Sequence, residues 1–176
     1  DGSASVPSNL VINIIDDVPN AVDDTDSIAS GSFAAATGNV ITDASAGDAG
    51  DSDNGADTRG ADSALVSNIA SNNPGGGAAQ VVSAGGVAIA GQYGVLTIAA
   101  DGSYSYVRNA GTPGGVNDVF TYTLKDSDND SDTATLTISI GNATPTTNVP
   151  VAGGATTTVY EAGLPARAGE SEGSGE

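Results

Sequence analysis

An all-β antiparallel sandwich is the fold class this 176-residue sequence predicts, and three observations carry the prediction. Apolar and polar residues alternate with a period of two across Gly94–Ile140. Turn-forming residues, among them 25 Gly, punctuate the chain throughout. No segment sustains a helical period; the Ala runs at Ala34–Ala36 and Ala99-Ala100 are too short. A period of two sends successive side chains to opposite faces, so each run has one face to bury and one to wet. Gly, Asn, Asp and Ser at the interruptions supply the conformations and local hydrogen bonds that turns need.

Taken in order, the first strand ends at Ile15, with Leu10, Ile12 and Ile14 on one face. A polar, Pro-containing link follows, Asp16–Asp24. Ser27–Ala29 reads as a short strand and Gly38–Ile41 as a short edge segment. Asp43–Asp62 is a long Gly/Ala/Asp loop, and a loop of that length without its own structure is usually functional or disordered. Ala64–Ile69 reads as a strand with Leu65 and Ile69 on one face. Asn72–Ala78 turns around Pro74, and Val81–Ser83 with Val87–Ile89 reads as a hairpin over Gly85-Gly86.

Two hairpins then stand back to back. In the first, Leu96 and Ile98 alternate up to the turn Asp101-Gly102, and Tyr104 and Tyr106 continue the pattern. In the second, Phe120, Tyr122 and Leu124 share a face, and Ala134, Leu136, Ile138 and Ile140 share another beyond an acidic loop. Thr alternates with both sets, and such β-branched and aromatic content suits a pleated, half-buried surface. About seven or eight short strands with frequent turn signals make an antiparallel sandwich.

The strand-plus-link pattern at Leu10–Asp24 echoes that at Leu136–Pro150, which suggests a tandem array. On that reading, residues 1–18 close one repeat and residues 19–142 form a whole one. Residues 143–176 are then a linker and the start of a third; Thr156–Tyr160 is strand-like, and the polar tail is expected to be poorly ordered unless it docks.

Charge narrows the partners. Lys125, Arg59, Arg108 and Arg167 face 22 acidic residues, for a formal net charge of −18. Such a surface repels nucleic acid and anionic lipid, whose binding needs Lys and Arg. No apolar run approaches the roughly 20 residues of a membrane helix. With no Cys and no His, the chain lacks the best nucleophile, the commonest general base and the commonest transition-metal ligand. Carboxylates in polar, Gly-rich loops stay ionised and make poor acid–base pairs, so an enzyme is not expected. Arg59 and Arg108 are expected to pair with nearby carboxylates, and Tyr93, Tyr104, Tyr106 and Tyr122 to be core or edge residues.

Hard cations suit this chemistry best. Ca²⁺ takes six to eight oxygens from carboxylates, carbonyls and water, which flexible Asp-rich loops supply, whereas Mg²⁺ demands stricter geometry. Three groups of residues are candidates: Asp16, Asp17, Asp23 and Asp24 in the link; Asp126, Asp128, Asp130 and Asp132 in the hairpin loop; and Asp51, Asp53, Asp57 and Asp62 in the long loop. The hairpin loop is not an EF-hand, because Ser131 stands where the sharp turn wants Gly and Thr137 where the bidentate Glu belongs.

Gly94–Tyr106, Asp118–Asp130 and Thr135–Ile140 together resemble the VCBS and related cadherin-like extender repeats of giant bacterial RTX and biofilm adhesins. Gly38–Thr42 and Arg59–Asp62 are similar to the earlier part of such repeats, and Val159–Pro165 to the opening of the next. The resemblance spans most of Asp16–Pro165. It implies an immunoglobulin-like Greek-key sandwich stacked end to end, exported by a type I secretion system and stiffened by Ca²⁺ at its junctions. Such arrays project a binding tip from a Gram-negative cell surface in adhesion or biofilm formation. It therefore implies a secreted monomer whose partners are calcium ions and neighbouring repeats of its own chain. The junction role falls by position on Asp16, Asp17, Asp23 and Asp24, with Asp126–Asp132 second. Two departures matter: the glycine-rich nonapeptide of RTX rolls is absent, and the second link, Gly141–Pro150, lacks paired Asp. The alternative is a sandwich whose loops recognise a polysaccharide or a host surface protein.

Overall fold

The computed structural model describes Gly2, residues 17–45 and residues 55–143. The expected strand at Leu10–Ile15, the strand-like Thr156–Tyr160 and most of the outer segments 1–18 and 143–176 lie outside the described residues. Regular structure among the described residues is all β: ten strands in two five-stranded sheets. One sheet runs β1 (Asp24–Ile28), β10 (Ser131–Ile140), β9 (Val116–Lys125), β4 (Leu65–Ser71), β5 (Gln80–Val81). The other runs β3 (Ala44–Ser45), β2 (Ala36–Asn39), β8 (Ser103–Arg108), β7 (Gly94–Ile98), β6 (Val87–Ala90).

The alternation read from sequence decides which side chains fill the space between the sheets. Phe120, Tyr122, Leu124, Leu136 and Ile138 from one sheet meet Leu96, Ile98, Tyr104 and Tyr106 from the other in a single apolar cluster. Tyr106 and Phe120 touch edge to face across it, with ring centroids 6.2 Å apart at 63°. Removing these side chains from water is the dominant favourable term.

Both expected hairpins form. β7 pairs with β8 and β9 with β10, all antiparallel. At the first, Gly102 N donates to Ala99 O and Ala99 N to Ser103 O, with Gly102 at φ +86°. A Cβ at Gly102 would also lie 2.8 Å from Asn39 Oδ1 and from Ile41 Cγ1. Gly102→Ala is therefore expected to cost about 1–3 kcal/mol, read by urea denaturation.

Four readings are corrected. First, the sandwich is not wholly antiparallel: β1 runs parallel to β10, Asp24 opposite Leu136 through Ile28 opposite Ile140. The chain leaves β1 for β2 of the other sheet, so no hairpin imposes the antiparallel sense. Second, Leu65 and Ile69 do not share a face, because a bulge shifts the register between Val66 and Asn68. The extra residue turns Val66 and Ile69 inward and leaves Leu65 44% exposed. Third, Val81–Ile89 is not a hairpin: β5 pairs with β4 and β6 with β7, so the turn at Ser83–Gly86 carries the chain between sheets. Fourth, β1 lies earlier than Ser27–Ala29, and β2 ends at Asn39, leaving Val40 and Ile41 buried in the turn that follows.

The segment before β1 lies strapped along the fold. Asn20 and Thr58 exchange both backbone hydrogen bonds at 2.9 Å. Ala61 N donates to Asp17 Oδ2, Ala21 N to Asp132 Oδ2, and Val22 N to Asp57 Oδ1. Acidic side chains thus satisfy a run of backbone that would otherwise be loose.

Candidate metal centre

The loop Asp126–Asp130 closes the β9–β10 hairpin. Asp126 N donates to Asp130 O at 3.1 Å, Asp130 N donates to Asp126 Oδ1 at 2.8 Å, and Asn129 takes φ +87°. Asn tolerates that left-handed conformation better than most residues. The turn that results brings the alternating carboxylates together, with Asp128 exposed. One oxygen each from Asp126, Asp128 and Asp130 lies within 4.8 Å of the others.

Electrostatics make this arrangement costly without a counter-charge. Asp126 is 8% exposed, and its Oδ2 is buried with no hydrogen-bond partner. Burial first, and then the adjacent Asp128 carboxylate, push the Asp126 carboxyl above its ordinary range; the Asp130 and Asn129 amides oppose that. A buried carboxylate oxygen without a donor is among the more expensive groups to leave unmatched. The donors are all oxygen, which fits a hard divalent cation rather than zinc or copper. These three residues could hold a metal ion.

The fourth residue of the loop goes elsewhere: Asp132 takes the Ala21 amide. The link residues do not converge either. Asp23 and Asp24 are consecutive, so they point to opposite faces. Asp23 Oδ1 accepts from Thr135 N at 2.8 Å and from Thr135 Oγ1 at 2.9 Å on the outer side. Asp24 is buried, 3.0 Å from Tyr122 Oη. Asp17 caps Ala61, and Asp16 lies outside the described residues. In the long loop, Asp51 and Asp53 lie outside the described residues. Asp62 is exposed, while Asp57 is buried and joins Asp24 at Tyr122.

Four buried carboxylates have roles that no reading of the sequence assigned. Asp118 is fully buried and accepts from Gln92 N, Tyr93 N and Tyr106 Oη at 2.8, 3.0 and 2.6 Å. Asp26 accepts from Tyr104 Oη at 2.9 Å. Asp24 and Asp57 share Tyr122. The signal was available: running the alternation back from Phe120 reaches Asp118, and from Ile28 reaches Asp26 and Asp24. With these partners, burial and the neighbouring carboxylates push the Tyr106 and Tyr122 phenols far up.

Among the described residues, Arg59 and Arg108 turn to neutral partners where carboxylates were expected. Arg59 Nε donates to Ala64 O at 2.7 Å. Arg108 donates to Thr112 and lies over the Phe33 ring, 5.1 Å from its centroid.

The fold and this loop together define a class: an all-β sandwich carrying an acidic hairpin loop able to hold a cation. No helix among the described residues is long and apolar enough to cross a membrane. No protein-family model matches the chain, and no curated protein aligns with it significantly.

Proposed function

We propose that the chain is a structural extender module of a large secreted bacterial surface adhesin, stiffened by Ca²⁺ and stacked in tandem to project a binding tip. In this reading the sandwich is an immunoglobulin-like Greek key of the VCBS or cadherin-like kind. It is exported by type I secretion and works as a monomeric link at a Gram-negative surface in adhesion or biofilm formation. The observation that carries the proposal is the hairpin loop: three converging carboxylates and a buried, partnerless Asp126 Oδ2.

The position of the loop supports a mechanical role. Asp132, just beyond it, grips Ala21 in the segment leading into β1. An ion on Asp126, Asp128 and Asp130 would brace the end of the sandwich at which the chain arrives. Without the ion, the carboxylates repel and the loop loosens, which suits a chain threaded unfolded through a secretion channel. Absence of Cys agrees, since no oxidising step is needed.

The alternative, a ligand-reading surface, loses ground on one observation. Tyr104, Tyr106 and Tyr122 are buried, so they offer no aromatic platform for a sugar.

A thermal melt tests the proposal. A ligand bound only by the folded state stabilises it by about 2.7 kcal/mol at a hundredfold excess over Kd. We expect millimolar CaCl₂ to raise Tm by about 5–15 °C over EDTA, with MgCl₂ giving much less. Asp126→Asn should abolish most of the rise, and the rise should shrink at acid pH as protons compete for the carboxylates. Identical melts in EDTA, Ca²⁺ and Mg²⁺ would refute the mechanism.

A further inference from the structure

The two ends of the sandwich differ in charge, and strand register fixes which segments lie at each. β10 runs to Ile140 beside Val116 of β9, and β1 runs parallel to it, with Ile28 opposite Ile140. The end at which the chain leaves therefore carries the connections 29–35, 72–79, 91–93 and 109–115 and residues 141–143. These segments contain no Asp and no Glu. Asp118, beside Gln92 and Tyr93, is fully buried and matched by its donors. The end at which the chain arrives carries the hairpin loop, the turn at Gly102, residues 40–43 and 55–64, and the segment before β1. Asp17, Asp62, Asp101 and Asp128 are exposed there, against Arg59 and Lys125.

Each end also exposes an apolar side chain next to a charge. At the leaving end Phe33 is 56% exposed, with the Arg108 guanidinium over its ring. Arg108 Nε and Nη2 donate to Thr112, which fixes the guanidinium; it makes no ion pair among the described residues. At the arriving end Val18 is 57% exposed and follows Asp17 in the chain. A held arginine on an aromatic ring, framed by uncharged loops, suits a carboxylate flanked by an apolar group.

We propose that Phe33 and Arg108 form a docking surface for the arriving end of a second copy of this module, with Val18 of that copy against the Phe33 ring and its Asp17 on the guanidinium. This rests on the tandem array proposed above and adds the surface through which neighbours touch. The two patches are unlike, so the contact is head to tail and extends into a row instead of closing as a pair. Two acidic arriving ends repel each other, so charge selects the orientation. Asp17 lies outside the hairpin loop, which leaves that loop to its cation.

One exposed Arg–carboxylate pair and one apolar contact bind weakly between free copies. Joined in one chain, neighbours meet at an effective concentration on the order of millimolar, where a weak contact is populated.

NMR spectra of the full chain in EDTA, at about 0.05 mM and about 2 mM, test the proposal. We expect the amide resonances of Phe33, Arg108 and Thr112 to move with concentration, together with those of Asp17, Val18 and Ala61. Arg108→Glu and Val18→Lys should each abolish both sets of shifts, while the dispersion of each spectrum reports that the variant is folded. Mixing the two variants should restore the contact, because each keeps the patch that the other has lost. The leaving-end shifts should then return on the Val18→Lys copy alone. Spectra independent of concentration, shifts confined to an outer face such as Val95 and Val107, or shifts that survive Arg108→Glu would overturn the proposal. The melts in Ca²⁺ separate it from the reading it rests on. Flat melts with these shifts present would remove the ion mechanism and leave the contact; melts raised by Ca²⁺ with no shifts would do the reverse.

Discussion

Asp118→Ala is expected to remove about 4 kcal/mol of stability, enough to unfold much of a marginal domain. The carboxylate is fully buried and is the acceptor for three donors. Two of these, Gln92 N and Tyr93 N, belong to the connection between β6 and β7; the third, Tyr106 Oη, belongs to β8. Asp118 itself sits on β9 of the opposite sheet, so one side chain ties the two layers together. Truncation takes the carboxylate from all three donors at once, at about 1–3 kcal/mol each and less than additively.

Packing around Asp118 is close enough that Gly91 has no room for a Cβ beside the carboxylate. Tyr106→Phe should cost less, about 1–2 kcal/mol, because it removes a donor and leaves the two amides matched. The double variant with Asp118→Ala should cost clearly less than the sum. Urea denaturation with unchanged m-values is the measurement. A loss under about 1 kcal/mol for Asp118→Ala would mean that the β6–β7 connection does not depend on this carboxylate.

Phe120→Ala is expected to cost about 3–5 kcal/mol, the range for deleting a buried aromatic side chain. Phe120 is 0% exposed and projects from β9 against Tyr106 of the other sheet. Its loss forfeits the transfer energy of the ring, opens a cavity between rigid sheets and removes an edge-to-face pair worth about 0.5–1.5 kcal/mol. Phe120→Leu should retain more than half of the stability at risk. Val95 and Val107, cross-strand partners on the outer face, are the contrast: truncating either to Ala should change stability by about 0.5 kcal/mol or less. If Phe120→Ala fell in that small range too, the two sheets would have to collapse onto the vacancy, which new solvent exposure or hydrogen exchange in β9 would reveal.

Both effects rest on residues that alternate along β9, yet only one of them reads plainly from sequence. Phe120 follows from the period of two. Asp118 lies on the same face two positions earlier, but a carboxylate at an inward position is read as solvent-facing until its donors are known. Those donors come from Gln92, Tyr93 and Tyr106, and nothing local brings them there. Asp24 and Asp57 are alike in this respect. One sits in a link and the other in a long loop, and they meet only because Tyr122 stands between them. The hairpin loop is the opposite case. Asp126, Asp128 and Asp130 are near one another in sequence, so a single turn brings them together.

The sequence by itself determined the all-β class, the two hairpins at β7–β8 and β9–β10, the inward set from Leu96 to Ile140 and the acidic loop. Each is written in a spacing of two residues or in a turn of a few, where the code is local. Tertiary structure decided the parallel docking of β1 on β10, the passage of Val81–Ile89 from one sheet to the other, the bulge that turns Val66 inward, and the division of labour among the aspartates. Partner choice between distant strands is set by which faces can be buried together. The fate of a carboxylate is set by which donors arrive beside it, and neither is fixed by its neighbours in sequence.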